Sequence, residues 1–321
     1  MRRRKVWIVA ACLGALHLAA LRADLFAPYG YAEQHRDYPY APPAAIHWDG
    51  GRPFVYELRP DGDNYRENFS TKFPLFFLRN GRLVSVQEPG VLFLLGTDGL
   101  GRDVFSRVLY GARISLAAGL LAAALSLAIG WFFGTIAGFF GGWTDQLLMR
   151  GSELFMTLPW LYLLLAVRAF LPLHISPLEA FFLLVAIIGG VGWVRPARLI
   201  RGVVLSARER PYVLAARGFG AGPAYLIRRH ILPFTWPVTL TQATVLIPQY
   251  ILAEVTLSFL GLGVGEPVPS WGNMLAEARQ YHVLTGHAWL LAPGAAAIPV
   301  LLGYLLLADE LSLENQADRV N

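Results

Sequence analysis

The stretch Ala112–Phe140, ARISLAAGLLAAALSLAIGWFFGTIAGFF, carries a single charge, Arg113, and otherwise runs apolar and small for its whole length. About 20 mostly apolar residues cross a hydrocarbon core of roughly 30 Å, so this run is long enough to span a bilayer and to tilt or extend beyond it. Gly130, Gly134 and Gly138 recur at four-residue spacing inside it. That spacing places them on one helix face, where a second backbone can approach closely. Working outward, five further apolar runs reach spanning length or nearly so: Val6–Ala23, Leu154–Leu173, Ala180–Val194, Pro233–Leu260 and Ala288–Ala308. The expected fold is an all-α membrane protein, a six-helix transmembrane bundle.

Composition agrees with that reading. Hydrophobic residues make up 55% of the 321 and charged residues 15%, a balance seldom met in a soluble domain. The net charge of +5 does not form one basic face, so nucleic acid is not an expected partner; the arginines fall mainly between apolar runs, as topology markers do. The only lysines, Lys5 and Lys72, leave no Gly-Lys-Ser/Thr phosphate loop, so any nucleotide energy comes from another chain. One cysteine, Cys12, excludes an internal disulfide or a cysteine-rich metal site. Seven scattered histidines form no zinc pair, and no Gly-x-Ser-x-Gly turn is present. No catalytic residue, metal or cofactor is expected.

The cluster Arg2-Arg3-Arg4-Lys5 puts the N-terminus in the cytoplasm, and six crossings return the C-terminus there. The segment Arg195–His230 is then cytoplasmic, with eight arginines against Glu209. A cleaved secretion signal is the competing reading of residues 1–23, although no clean Ala-x-Ala site precedes Asp24. The domain expectation is a first span at 1–23, an extracytoplasmic insertion with a pre-span helix at 24–107, a five-span core at 108–310 and a cytoplasmic tail at 311–321. The insertion has turn signals at Asp49-Gly50-Gly51, Pro60-Asp61-Gly62 and Asn80-Gly81, with strands expected over Pro53–Leu58 and Arg82–Gln87. It is read as a small β-rich unit.

Within the fifth run, Gln242, Gln249 and Glu254 are the polar series at membrane depth and are candidates for a translocation path or gate. A structural hydrogen bond is the alternative for Glu254. Arg168, near the end of the third run, can snorkel to the interface. Pro159, Pro237 and Pro248 interrupt their runs. In Gly96-Thr-Asp-Gly-Leu-Gly-Arg-Asp103, Thr97 or Asp98 is the expected helix cap, and Asp98/Arg102 and Asp103/Arg107 are spaced for surface ion pairs.

The cytoplasmic segment reads as helix, turn, helix: Glu209–Gly220, a Gly-Ala-Gly-Pro break over 220–223, then Ala224–His230 before Pro233. A rigid lever for a soluble partner and a plain basic loop facing anionic headgroups both fit that pattern.

Tyr212-Val-Leu-Ala215-Ala216-Arg217-Gly-Phe-Gly220, followed by Arg229-His230-Ile-Leu-Pro233, resembles the "EAA" loop of binding-protein-dependent ABC permeases. Leu95–Asp103, Leu257–Gly263 and Pro269–Leu275 are similar to the dipeptide/oligopeptide group, specifically its C-type subunit. The resemblance covers about residues 90–310. Leu214 stands where that motif often has glutamate. The resemblance implies the six-helix bundle of type I ABC importer permeases, in the bacterial inner membrane. It further implies that Ala215, Ala216 and Gly220 lie in a coupling helix docked into a groove on an ATPase subunit, with Arg217, His230 and Pro233 completing the motif. The implied partners are a second homologous permease, two ATPase subunits and an extracytoplasmic binding protein. The place of Asp98, Arg102 and Asp103, external and ahead of the second span, makes them candidates to seat that binding protein, with a purely structural cap as the alternative. Dipeptides, longer peptides, peptide-like antibiotics, glutathione or nickel chelates all fit the group. A stand-alone channel or secondary transporter is the rival class, and would be expected to carry more intramembrane charge or an internal repeat.

Overall fold

The computed structural model of the chain describes residues 2–62, 64–79, 81–157, 159–170 and 175–320, with side chains throughout except at 2, 3, 282 and 313–320. Asn80 of the expected Asn80-Gly81 turn, the last residues of the third apolar run and the final residue of the tail lie outside them.

Helices α1 (Arg2–Leu21) and α2 (Ala23–Phe26) lead into an antiparallel sheet of β1 (His47–Asp49), β2 (Arg52–Asp61), β3 (Asn64–Arg79) and β4 (Arg82–Val86), in that spatial order. β2 and β4 fall where strands were expected. β1 and the sixteen-residue β3 were not expected, because β3 mixes Asn, Arg, Glu, Ser and Lys into its first half and lacks an alternating apolar pattern. Register runs Phe54 against Pro74 and Asp61 against Asn64, with an irregularity at Tyr56/Glu57. Val55, Leu75 and Leu92 form the small apolar core of this unit.

The helical part follows: α3 (Val104–Phe140), α4 (Gly142–Thr157), α5 (Trp160–Ala169), α6 (Pro177–Gly192), α7 (Val194–Arg208), α8 (Pro211–Gly218), α9 (Pro223–Leu226), a π turn over Ile227–Ile231, α10 (Leu232–Phe259), α11 (Trp271–Glu277), α12 (Tyr281–Gly286), a short 3-10 turn over Ala288–Leu291, and α13 (Ala292–Val320). Among the described residues, three stretches are by themselves long and apolar enough to cross a membrane: Arg4–Leu21, Val104–Phe140 and Ala288–Ser312. Two more crossings are reached by counting the bent pairs α4 with α5 and α6 with α7, which turn by 92° and 44° at their breaks. The first bend lies at Pro159, which blocks helix continuation. Pro237 and Pro248, by contrast, sit inside an unbroken α10. That helix is 28 residues long, enough for about 42 Å at 1.5 Å per residue. Gln242, Gln249 and Glu254 make it less apolar than the three stretches above.

α3 is the axis of the bundle. It packs on α7, α10 and α6, while α10 also meets α13, which in turn meets α1. The main core joins Leu116, Ala122, Leu184, Ile188, Ile251 and Leu257 across these helices. The glycine face of α3 lies directly on α7. A methyl group added to Gly130 would sit 2.9 Å from the Trp193 carbonyl oxygen, one on Gly138 would sit 2.9 Å from that of Arg201, and one on Gly134 would overlap that of Ala197. The obstructing atoms are backbone, which cannot swing away as a side chain can. Both ends of α3 are fixed as well. Asp103 is its N-cap, accepting from the Ser106 amide at 2.8 Å and the Ser106 hydroxyl at 2.6 Å. At the other end Arg208 donates to the Gly138 and Phe139 carbonyl oxygens at 2.9 and 3.3 Å, where a cation also meets the negative pole of the helix. The expectation of a cap at Thr97 or Asp98 is thereby corrected, since these residues belong to the turn before the helix.

Replacing Gly134 with leucine is expected to separate α3 from α7 at a cost of about 1–3 kcal/mol, the usual range for overpacking. The unfolding temperature of the purified chain in detergent should fall. A Gly151→Leu control, at a position where an added methyl meets nothing within 4 Å, should leave it within a degree or so.

Candidate functional site

Three places hold the residues singled out by the sequence, and they are separate. The first is the hairpin formed by α8, the turn 219–222 and α9. Pro211 starts α8 at a position where its missing N–H costs nothing. The helix ends as the Phe219 amide donates to Ala215 at 3.0 Å and the Gly220 amide to Arg217 at 3.0 Å. Gly220 then takes φ of +88°, a conformation that a side chain would strain. Pro223 opens α9 by the same logic as Pro211. The His230 ring lies against Tyr225 at 5.6 Å and Tyr212 at 5.8 Å, and Arg210 covers the Phe234 ring at 4.1 Å, so aromatic contacts tie the hairpin to the start of α10. Ala215, Arg217 and Gly220 are exposed and Ala216 is half-buried, while Val213 is the residue of α8 that packs inward. Phe219 is 94% exposed, and Leu214 on α8 is exposed as well. The sequence reading passed over Phe219, although an aromatic residue between two glycines in an arginine-rich turn has no apolar periodicity to bury it.

The second place is a cavity of about 690 Å³ between α4, α5, α6, α7 and α10. Gln249 lines it. Neither Gln242 nor Glu254 does: Gln242 is half-buried, and Glu254 is fully buried, accepting from the Ser258 hydroxyl at 2.6 Å. Near that end of α10, the Ser115 hydroxyl accepts from the Trp271 amide at 3.1 Å, joining α3 to α11. The geometry favours the structural alternative for Glu254. Arg168 likewise does not snorkel, being 3% exposed with its Nε donating to the Leu262 carbonyl oxygen at 2.8 Å.

The third place is the turn before α3. Asp98 accepts from the amides of Leu100 and Arg102 at 2.9 and 3.0 Å and from the Arg102 guanidinium at 2.6 Å. Arg107 approaches the same carboxylate at 3.6 Å. Glu266, from the loop after α10, grips Arg102 at 2.6 Å and Arg107 at 2.9 Å. Glu277 of α11 accepts from the Gly99 amide at 2.9 Å. Asp98, Arg102, Asp103 and Arg107 are all buried, so the expected surface ion pairs are corrected twice. Asp98/Arg102 is an internal pair, and among the described residues Asp103 pairs with no arginine, because it caps α3 while Arg107 turns to Asp98 and Glu266. Burial pushes the Asp103 carboxyl up to about 7, with its bonds to Ser106 opposing the shift.

Removing one partner of a buried pair leaves an uncompensated charge, so Asp98→Ala is expected to destabilise the chain by about 3 kcal/mol or more, and Glu266→Gln, whose carboxylate is half exposed, by clearly less. Thermal unfolding of the two variants side by side measures the difference. Asp103 adds a pH dependence. Its folded-state pKa stands above its unfolded value of 3.8, so its contribution to stability declines as pH rises from about 3.8 to about 7 and is level beyond. In Asp103→Asn that slope should vanish from a plot of unfolding midpoint against pH.

Residues 130–310 match the family described as binding-protein-dependent transport system inner membrane component. A Brucella suis protein named as a peptide permease is 41% identical over 217 residues, 67% of this chain and 70% of its own length. The oligopeptide transport system permease protein OppC of Bacillus subtilis is 36% identical over 67% of this chain and 68% of its own. The glutathione transport system permease protein GsiD of Pectobacterium atrosepticum is 37% identical over 70% of this chain and 72% of its own. The stretch that matches the family runs from the glycine face of α3 through the cavity and the hairpin into α13, and the chain belongs to the inner membrane components of binding-protein-dependent ABC transport systems.

Proposed function

We propose that this chain forms half of the translocation path of an ATP-driven importer for peptides or peptide-like solutes. A second homologous permease completes the path, two ATPase subunits supply the energy, and an extracytoplasmic binding protein delivers the solute. The chain itself binds no cofactor and catalyses no reaction. It crosses the inner membrane six times, with α10 and the two bent pairs each counted as one crossing and both termini cytoplasmic.

The observation that carries this reading is the hairpin tip. A hairpin whose 8-residue helix buries Val213 and exposes Leu214, with Phe219 exposed just past its end, is not completed by its own chain. Exposed aromatic and apolar groups of this kind anchor protein interfaces when a partner's pocket receives them. Ala215, Ala216 and Gly220 allow close approach around that anchor, Arg217 offers it a charge, and His230 and Pro233 fix the return of the chain into α10. An ATPase groove is the fitting receptor, because the hairpin is joined through α7 to α3 and through α10 to the cavity wall, so movement of the tip reaches both. Gln249 faces the path, and Gln242 and Glu254 support its wall. Because Asp98, Arg102 and Asp103 are internal, a binding protein seated on this end would meet Leu100 and Glu266 around them, with the buried ion pairs as its foundation. Glutathione is a specific alternative solute, favoured by the similarity to a glutathione transport permease.

In the reconstituted importer, Phe219→Ser is expected to reduce solute-stimulated ATP hydrolysis about tenfold or more, the loss typical of an interface anchor worth about 1.4 kcal/mol or above. Gly220→Val should impair it through backbone strain. Full stimulation by both variants would refute the docking role.

A further inference from the structure

Four arginines lie along α7, at 195, 198, 201 and 208, and three of them have acidic partners. Arg198 meets Glu153 at 3.3 Å, Arg201 meets Asp145 at 2.5 Å, and Arg208 meets Glu209 at 3.0 Å. The acids at 145 and 153 belong to α4, so the first two pairs hold α7 to that earlier helix. Arg195 differs from the others. It is exposed, forms no ion pair among the described residues, and contributes to the wall of the 690 Å³ cavity, which none of the other three does.

Besides the neutral Gln249 amide, the rest of that wall leaves little else to bind a charged solute. The Tyr250 hydroxyl is engaged with Ser126 at 2.9 Å and Gly192 at 3.3 Å, and the Thr256 hydroxyl donates to the Leu252 carbonyl oxygen at 2.7 Å. Leu161, Val191, Leu246 and Ala253 are apolar. Among the described lining residues Arg195 is the one with a formal charge, and no carboxylate shares the wall with it. A guanidinium has five donors and no acceptor, and its fork matches a carboxylate at two points. Apolar walls lower the local dielectric and concentrate its field.

We propose that Arg195 is a specificity-determining residue of the cavity, an anion-binding point that attracts the carboxylate end of the solute during passage. The carboxylate as its ligand rests on the peptide-import reading above; the cavity's anion preference does not. Because no carboxylate stands among the described lining residues, a solute carboxylate has no internal partner to displace when it binds. A lysine would supply the charge without the two-point geometry.

The test uses the whole importer in nanodiscs. Cys12, the chain's one cysteine, is replaced by serine, and Gln249→Cys reports on the cavity, with Thr256→Cys as a second reporter should the first variant fail to fold. Modification rates are compared for a sulfonate-bearing and a trimethylammonium-bearing methanethiosulfonate. Adding Arg195→Gln is expected to lower the sulfonate-to-ammonium rate ratio about tenfold, while Arg195→Lys retains most of it. A ratio unmoved by Arg195→Gln overturns the proposal. A tripeptide should slow modification more than its C-terminal amide does, and this difference should disappear with Arg195→Gln; equal protection, or none from either, overturns the carboxylate assignment. A ratio that depends on Arg195 in a complex whose ATP hydrolysis no peptide stimulates would retain the anion point and refute peptide import. Intact stimulation with a flat ratio would do the reverse.

Discussion

Along one face of α3 the side chains at 130, 134 and 138 are hydrogen atoms, and backbone from Trp193 to Arg201, at the start of α7, lies against them. In a bilayer, helices gain little from hiding apolar surface from one another, because lipid tails are as apolar as leucine; close packing and polar contacts have to supply the association. Backbone at van der Waals distance from backbone over two turns is the densest packing available. The other elements inherit their position from it. α7 is the continuation of α6 through the bend at Trp193, and it leads through Arg208 and Glu209 into the hairpin, so the placement of the exposed tip is set by three glycines in a distant span.

The polar groups reinforce the same axis instead of forming a separate site. Arg208 closes the carbonyl end of α3, Asp103 closes its amide end, and Arg107, one turn into the helix, is drawn to Asp98 and Glu266. Glu266 belongs to the loop after α10, and Glu277, which holds the Gly99 amide, belongs to α11. The turn before α3 is thus fixed by groups from far along the chain. Such an assembly costs desolvation, and removing a buried member leaves its partner's charge uncompensated.

Much of this was legible in the sequence, for identifiable reasons. The long apolar run at 112–140 and its glycine spacing are local signals, and the structure places that face against another helix. The hairpin was legible because Pro211, Gly220 and Pro223 each dictate backbone conformation at their own position. What was missed depends on distance in the chain. Asp98 and Arg102 look like a surface pair because a four-residue spacing says nothing about Glu266, 164 residues beyond Arg102. Glu254 looks like a pathway group because hydrophobicity marks it as unusual, whereas its burial follows from how α10 meets α3 and α11. β3 escaped notice because an edge-poor polar strand is specified by its pairing with β2 and β4.

The arginines of α7 separate two roles that composition alone merges. Three of them are neutralised by acids or helix ends, and their effect is to make α4, α7 and the end of α3 one unit. The fourth faces a cavity whose other lining side chains are uncharged, mostly apolar or already bonded, with the Gln249 amide beside them. A basic segment is usually read as a response to anionic headgroups, and that explanation would treat all four alike. The structure distinguishes them by partner. A charge that is paired transmits position, and a charge without a partner, set in a wall of low polarity, is available to whatever enters. Both kinds sit on one helix, so displacement of the hairpin would be carried by the paired arginines to the bend where Arg195 stands, linking the orientation of the recognition group to the element on which force would be applied.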